Sequence, residues 1–365
     1  MLISFPHMGS QLFYKKLLDL FELKYIMPPA PTQKTIDLGV KYSPEFACYP
    51  YKILLGTYIE AIELGADTIL TSGGSGPCRA GLYAPLHQKT LKKMGYEVDF
   101  IVFDDFSRSP KEFINNIQKL KGARTWVDVF KNCYTAYKLA SSVDKLQQFV
   151  EKNRAYEIET GAFNKTFANI MKDFDNNANT VSEIKSLYKK GLNTLCSIPV
   201  KNLAKDNDRI KIGIVGEIYV VMEPSVNMNI VEVLNKLGCE VSTSLYISEW
   251  IKHAVIPPVF KKSSGQHLLD NSKKYLKIQI GGHESHNVGN IIEYKKQGYD
   301  GIIHLMPFGC LPELITQTLA PKITEDINIP ILTLSLDEQT GIANNQTRIE
   351  AFVEMLHKNK GASND

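Results

Sequence analysis

Apolar positions along the first hundred residues alternate between two periods. Leu2–Phe5 is a short, mostly apolar run of strand character, and in Gln11–Glu22 the residues Leu12, Leu17, Leu18 and Phe21 recur at helical spacing. Leu54, Leu55, Tyr58, Ile59 and Ile62 share one face of a further helix. Thr68–Thr71 then reads as a strand, Pro85–Met94 as a helix and Val98–Phe103 as another strand. Strands separated by helices need crossover connections, and the arrangement that buries both is a parallel sheet covered by helices.

The period changes near Ser107. From there to Lys205 glycine is rare and no strand pattern occurs. Helices are expected over Pro110–Leu120, Ala123–Gln148, Val150–Asp175 and Val181–Leu195. Alternation resumes at Arg209. Ile210–Val215 is a strand, Val226, Ile230, Val233, Leu234 and Leu237 make a helix face, and Glu240–Tyr246 is a second strand. Gly301–Leu305 and Ile329–Leu334 are strands flanking the helix Pro312–Ile323, and the helix Gln346–Leu356 closes the unit. The expectation is an α/β protein with two Rossmann-like or flavodoxin-like parallel-sheet domains, residues 1–106 and 208–358. A helical middle domain spans 107–207 and a disordered tail 359–365. A length of 365 residues agrees with more than one core.

Composition narrows the classes. A hydrophobic share of 44% with 22% charged residues is that of a soluble globular protein. Net charge is +3 without basic runs interleaved with aromatics, which excludes a nucleic-acid surface. No apolar stretch approaches the roughly 18 residues needed to cross a bilayer. Met1–Ser10 has neither a basic leader nor an adequate apolar signal region, so a cytoplasmic location is expected.

Six cysteines stand at 48, 78, 133, 196, 239 and 310. In a reducing compartment metal binding and plain burial compete as explanations, and disulfides do not. Cys133, Cys196 and Cys239 lie within or beside regular elements and read as packed side chains. The other three share a different setting. Cys78 follows a strand in Ser72-Gly-Gly-Ser-Gly-Pro-Cys-Arg-Ala-Gly81, with Gly74, Gly76 and Arg79 as candidate cofactor contacts. Cys310 follows a strand in Met306-Pro-Phe-Gly-Cys-Leu-Pro-Glu313, where Gly309 is the matching glycine. Cys48 precedes a helix opened by Pro50. A helix N-terminus is expected to lower a thiol's pKa and favour the metal-ligating thiolate. The gaps of 78 − 48 = 30 and 310 − 78 = 232 residues do not suit a structural zinc site, even if His283 or His286 were to add a nitrogen. The glycine run matches neither G-x-G-x-x-G nor GxxxxGK[ST], so ATP binding is disfavoured. A three-thiolate metal site between two domains is one reading, and packed cysteines in ordinary βα loops the other.

Residues 45–83, EFACYPYKILLGTYIEAIELGADTILTSGGSGPCRAGLY, resemble the N-terminal signature of the 2-hydroxyacyl-CoA dehydratase D-component superfamily, and in particular its activase-related branch. Residues 215–238, 281–290, 304–323 and 329–341 resemble later motifs of that branch. The resemblance implies a [4Fe-4S] cluster on Cys48, Cys78 and Cys310. It also implies priming by an ATP-dependent activase of the actin/Hsp70/sugar-kinase superfamily, an acyl-CoA or similar small substrate, and a homodimer or a heterodimer with a related subunit. Radical dehydration or reduction is the implied chemistry. The alternatives are a non-catalytic electron-transfer or cluster-carrying partner, or a double-cubane cluster reductase.

Carboxylates near these motifs are candidate acid–base groups. Glu45 precedes Cys48, Glu313 follows Cys310, and Glu217 lies directly after a strand, where active-site side chains project. Glu45 and Glu217 are the candidate catalytic residues. For Glu45 and Glu313 the competing role is a charge at a helix N-terminus. Asp337 and Glu338 have the same placement as Glu217, while Lys52 and Arg79 read as phosphate or sulfide partners or as solvated cations.

Overall fold

The computed structural model describes residues 1–73, 77–103, 109–201, 209–254, 265–278 and 280–362. Two parallel sheets organise it. In the first, β1 (Ile3–Ser4), β2 (Thr68–Ser72) and β3 (Asp99–Phe103) lie in the order β1-β2-β3. The second contains β4 (Ile210–Gly216), β5 (Cys239–Thr243), β6 (Gly301–Pro307) and β7 (Ile331–Leu336), ordered β5-β4-β6-β7. This is the flavodoxin-like progression, in which the chain leaves β4 to one side and returns on the other. The crevice beyond the carboxyl ends of β4 and β6 is therefore the expected ligand position. The protein is α/β, as the alternating patterns indicated.

Burial follows the periodicities. Ile212, Ile214, Ile303, Leu305 and Leu334 are fully buried in the second sheet. They belong to one apolar cluster with Phe5 and Tyr58 of the first unit, so a continuous core joins the two. The long helix Trp126–Asn153 touches two cores: Ala136 and Ala140 face the sheets, whereas Leu139, Val143 and Leu146 pack with Phe163, Phe174 and Leu195.

Three local departures have physical causes. The helix Gln33–Tyr42 was not among the expected elements: its fully buried positions are Thr35 and Gly39, and Ile36, Leu38 and Tyr42 are only partly buried against the core. A Cβ on Gly39 would stand 1.9 Å from the Lys52 carbonyl oxygen, and one on Gly56 the same distance from that of Thr35. Two helix backbones touch there, through small residues. Second, the Trp126–Asn153 helix runs through the expected break at residue 149, and the chain turns only at Arg154–Tyr156 and Gly161, whose φ is +86°. Third, the last helix spans Ile342–Ala362, so residues 359–362 are helical and not a disordered tail. Lys360 anchors that end through the Arg209 carbonyl at 2.6 Å and Asp300 at 2.9 Å.

Candidate functional site

Each of the three selected cysteines is the N-cap of a helix. Cys48 caps Tyr49–Glu63 and Cys310 caps Leu311–Ile327, both with proline in the first turn, and Cys78 caps the short 3-10 turn Arg79–Leu82. Proline suits that position because its missing N–H would have had no helical partner. All three cysteines line one cleft of about 30 Å³, together with Tyr83 and Glu217. Residues 262 positions apart in sequence, 310 − 48, thus meet at the crevice beyond β4 and β6.

The electrostatics differ from the helix-terminus expectation. Burial raises the pKa of Cys48, with Glu217 adding to the rise; the Tyr83 hydroxyl, Arg79 and the Tyr51 amide pull the other way. Burial likewise raises Cys78, opposed by the Ala80 amide and reinforced by Glu217. Cys310 is pushed far above the ordinary thiol range by burial, then by Glu313 and Glu217. Desolvation outweighs the helix dipole, because a thiolate stripped of water loses more than a partial terminal charge returns. Without a guest, burial favours the protonated thiols over the thiolates. A positively charged or iron-bearing guest is what would stabilise them as thiolates.

Glu217 reaches the cleft. Half-buried, it accepts hydrogen bonds from the amides of Tyr219 at 3.0 Å and Val220 at 3.1 Å. Removal of its carboxyl from water pushes its pKa up to about 7, and Glu313 adds to the rise. Glu45 does not join it. It is exposed on the turn before Cys48, and the group that turn directs toward the site is the Phe46 carbonyl. Arg79 donates to that carbonyl at 2.6 Å and to the Gly309 carbonyl, tying a loop of each unit across the cleft. Gly309 has a φ of +72°, and a Cβ there would stand 3.4 Å from the Arg79 guanidinium. Gly74 and Gly76 lie outside the described residues.

Other expectations are corrected. Lys52 is not solvated: it is buried and ion-paired with Glu338, a second link between the units. Asp337 shapes its own turn, accepting from the Gln339 amide and the Thr340 hydroxyl. Among the cysteines read as packed, Cys239 is buried, but Cys133 and Cys196 are exposed. Their helices bury the adjacent faces.

Two features had no sequence reading. The Tyr83 hydroxyl is hydrogen-bonded to the Cys48 sulfur. Gly282, with φ +88°, brings its backbone against the site: a Cβ there would meet Pro312 Cγ at 2.6 Å and the Cys78 sulfur at 3.8 Å.

The donor set suits a sulfur-ligated group. Three thiols converge, and backbone amides face each sulfur. Among the described residues no three His, Cys, Asp or Glu side chains are gathered closely enough to hold a single ion, which at Zn–S bonds of about 2.3 Å requires near-contact of the sulfurs.

Fold and site together define a two-sheet α/β protein with a cysteine-lined crevice at a topological switch point. The chain belongs to the family described as 2-hydroxyglutaryl-CoA dehydratase, D-component, which it matches over residues 16–356. Comparison with individually curated proteins gives no match. No helix among the described residues is long and apolar enough to cross a membrane.

Proposed function

We propose that this chain is an iron–sulfur protein of the 2-hydroxyacyl-CoA dehydratase type in which Cys48, Cys78 and Cys310 hold one [4Fe-4S] cluster. Convergence carries this reading: three cysteines from both units head helices and line one cleft. When bound, such a cluster supplies single low-potential electrons and, with three thiolate ligands, leaves one iron open to water or substrate.

The chain's own residues have separable tasks in this proposal. The amides of Tyr51, Ala80 and Glu313 hold negative charge at the three sulfurs. Arg79 keeps the two loops closed over the cleft. Glu217, at about 7, holds or releases a proton at its carboxylate near neutral pH. The electron would come from an ATP-dependent activase, and the substrate would be an acyl-CoA or a similar small molecule undergoing radical dehydration or reduction. A second copy or a related subunit would complete the unit in the cytoplasm.

A cleft of about 30 Å³ has room for only a few waters and for neither a cluster nor a thioester substrate. Loading a cluster therefore also means opening the cleft.

Anaerobic purification followed by iron and acid-labile sulfide analysis tests the proposal, with about four of each per chain expected. A folded, colourless, iron-free protein sinks it. Turnover of one member of an acyl-CoA panel, with activase, ATP and reductant, assigns catalysis. Reduction without turnover of any member assigns electron transfer.

A further inference from the structure

Behind Cys310 lies a buried polar chain that the proposed function leaves unused. Glu313 and His304 are both 0% exposed and Asn287 is 1% exposed. Burying a carboxylate is costly unless donors serve its oxygens. Here they do. Asn287 Nδ2 donates to the two Glu313 oxygens at 3.0 and 2.9 Å, and His304 Nε2 lies 2.7 Å from Oε2.

The orientation of Asn287 is fixed by a second contact. Asn287 Oδ1 accepts the Gly216 N–H at 3.2 Å, so its amino group must face Glu313 and the Gly216 carbonyl. His304 stands between the Thr333 hydroxyl, 3.2 Å from Nδ1, and the carboxylate, 2.7 Å from Nε2. Asn287 thus donates to both Glu313 oxygens, the surroundings that serve a carboxylate acceptor. Among the described residues no lysine or arginine is paired with it. Glu313 stands three residues beyond Cys310, and its own amide faces that sulfur.

We propose that Glu313, held by Asn287 and His304, is an electrostatic positioning residue that keeps a fixed negative charge behind Cys310 and so lowers the reduction potential of the cluster bound there. The inference rests on the cluster reading above. Reduction adds an electron, and an anion fixed nearby in a low-dielectric interior opposes it. A neutral side chain of the same shape would fill the same space, so the charge is what a test must isolate.

Iron content and midpoint potential are measured on anaerobically loaded wild type, E313Q and E151Q, by titration with titanium(III) citrate followed by electron paramagnetic resonance. E313Q should be reduced at least tenfold more readily, which is about 59 mV upward for one electron. E151Q removes a buried carboxylate bonded to Tyr246 in the helical segment and should leave the potential unchanged. An E313Q protein that loads iron but keeps the wild-type potential overturns the inference. Wild type without iron overturns the cluster reading and this inference with it. Should E313Q fail to fold, His304 decides. H304L removes a donor from the carboxylate and should raise the potential, whereas H304Q keeps one and should not; equal potentials in the two overturn the proposal.

Discussion

Cys310 stands on a four-stranded sheet with a buried carboxylate, histidine and asparagine locked behind it. Cys78 stands on a three-stranded sheet whose β1 has two residues, and it is itself only half-buried. The helices they cap differ as well, 17 residues against a four-residue turn. Beside the buried Lys52–Glu338 pair, the first unit makes contacts that side-chain rotation can undo: the exposed Arg79 on two carbonyls and the Tyr83 hydroxyl on Cys48. The Cys310 arm is expected to be the rigid one and the Cys78 arm the adjustable one; on the cluster reading the first would set the geometry and the second would open.

The largest expected effect asks whether both arms are needed at all. Cys310→Ala and Cys78→Ala should each abolish iron-dependent absorbance, while Cys133→Ala, on the surface of a distant helix, should retain it. Equal loss in Cys133→Ala would show that the cysteines have been sorted wrongly.

Stability of the iron-free protein measures rigidity directly. Glu313→Ala leaves Asn287 and His304 without their buried partner and should cost about 1–3 kcal/mol for each polar group left unsatisfied. Arg79→Ala removes exposed contacts and should cost no more than about 1 kcal/mol. Urea denaturation of the two variants compares them, and similar losses would end the distinction between the arms.

Much of this asymmetry was hidden in the sequence, for identifiable reasons. The strands and the three cysteines were legible because period and Pro- or Gly-shaped helix starts are local signals. The sign of the thiol shifts was not, since it depends on burial by chain segments far away in sequence. Lys52 reads as a surface cation because its partner Glu338 is 286 residues away. The Gln33–Tyr42 helix was missed because its fully buried positions are Thr35 and Gly39, while its apolar residues are only partly buried. His304 did leave a signal: a single polar residue inside the apolar run Gly301-Ile-Ile-His-Leu305, on a strand buried throughout, must have a partner.

Glu217 sits where the arms meet, and its effect should depend on pH. Its carboxyl titrates at about 7 in the folded protein against an ordinary 4.5. A raised pKa means that folding takes up a proton. The stabilising contribution is complete below about 4.5 and is lost as pH rises to about 7. Over that window wild type should lose about 2–3 kcal/mol relative to Glu217→Gln, after which the difference levels off. Glu151 and Asp144, raised to about 7 and about 6 by burial, titrate in the same range. The comparison between variants removes their contribution. A difference independent of pH would mean that Glu217 is solvated and takes no part in the buried site.

The smallest effect bears on how the adjustable arm opens. The Tyr83 hydroxyl is bonded to the Cys48 sulfur in a part-buried position, and Tyr83→Phe forfeits that bond at a cost of about 1 kcal/mol in the iron-free protein. If Cys48 must turn from Tyr83 to take up iron, the bond is already gone in the loaded protein, and the same substitution should then cost less. Denaturation of both forms under anaerobic conditions gives the two losses. A cost as large in the loaded protein as in the iron-free one would mean that Tyr83 stays on the sulfur throughout, leaving the opening to come from the loops joined by Arg79.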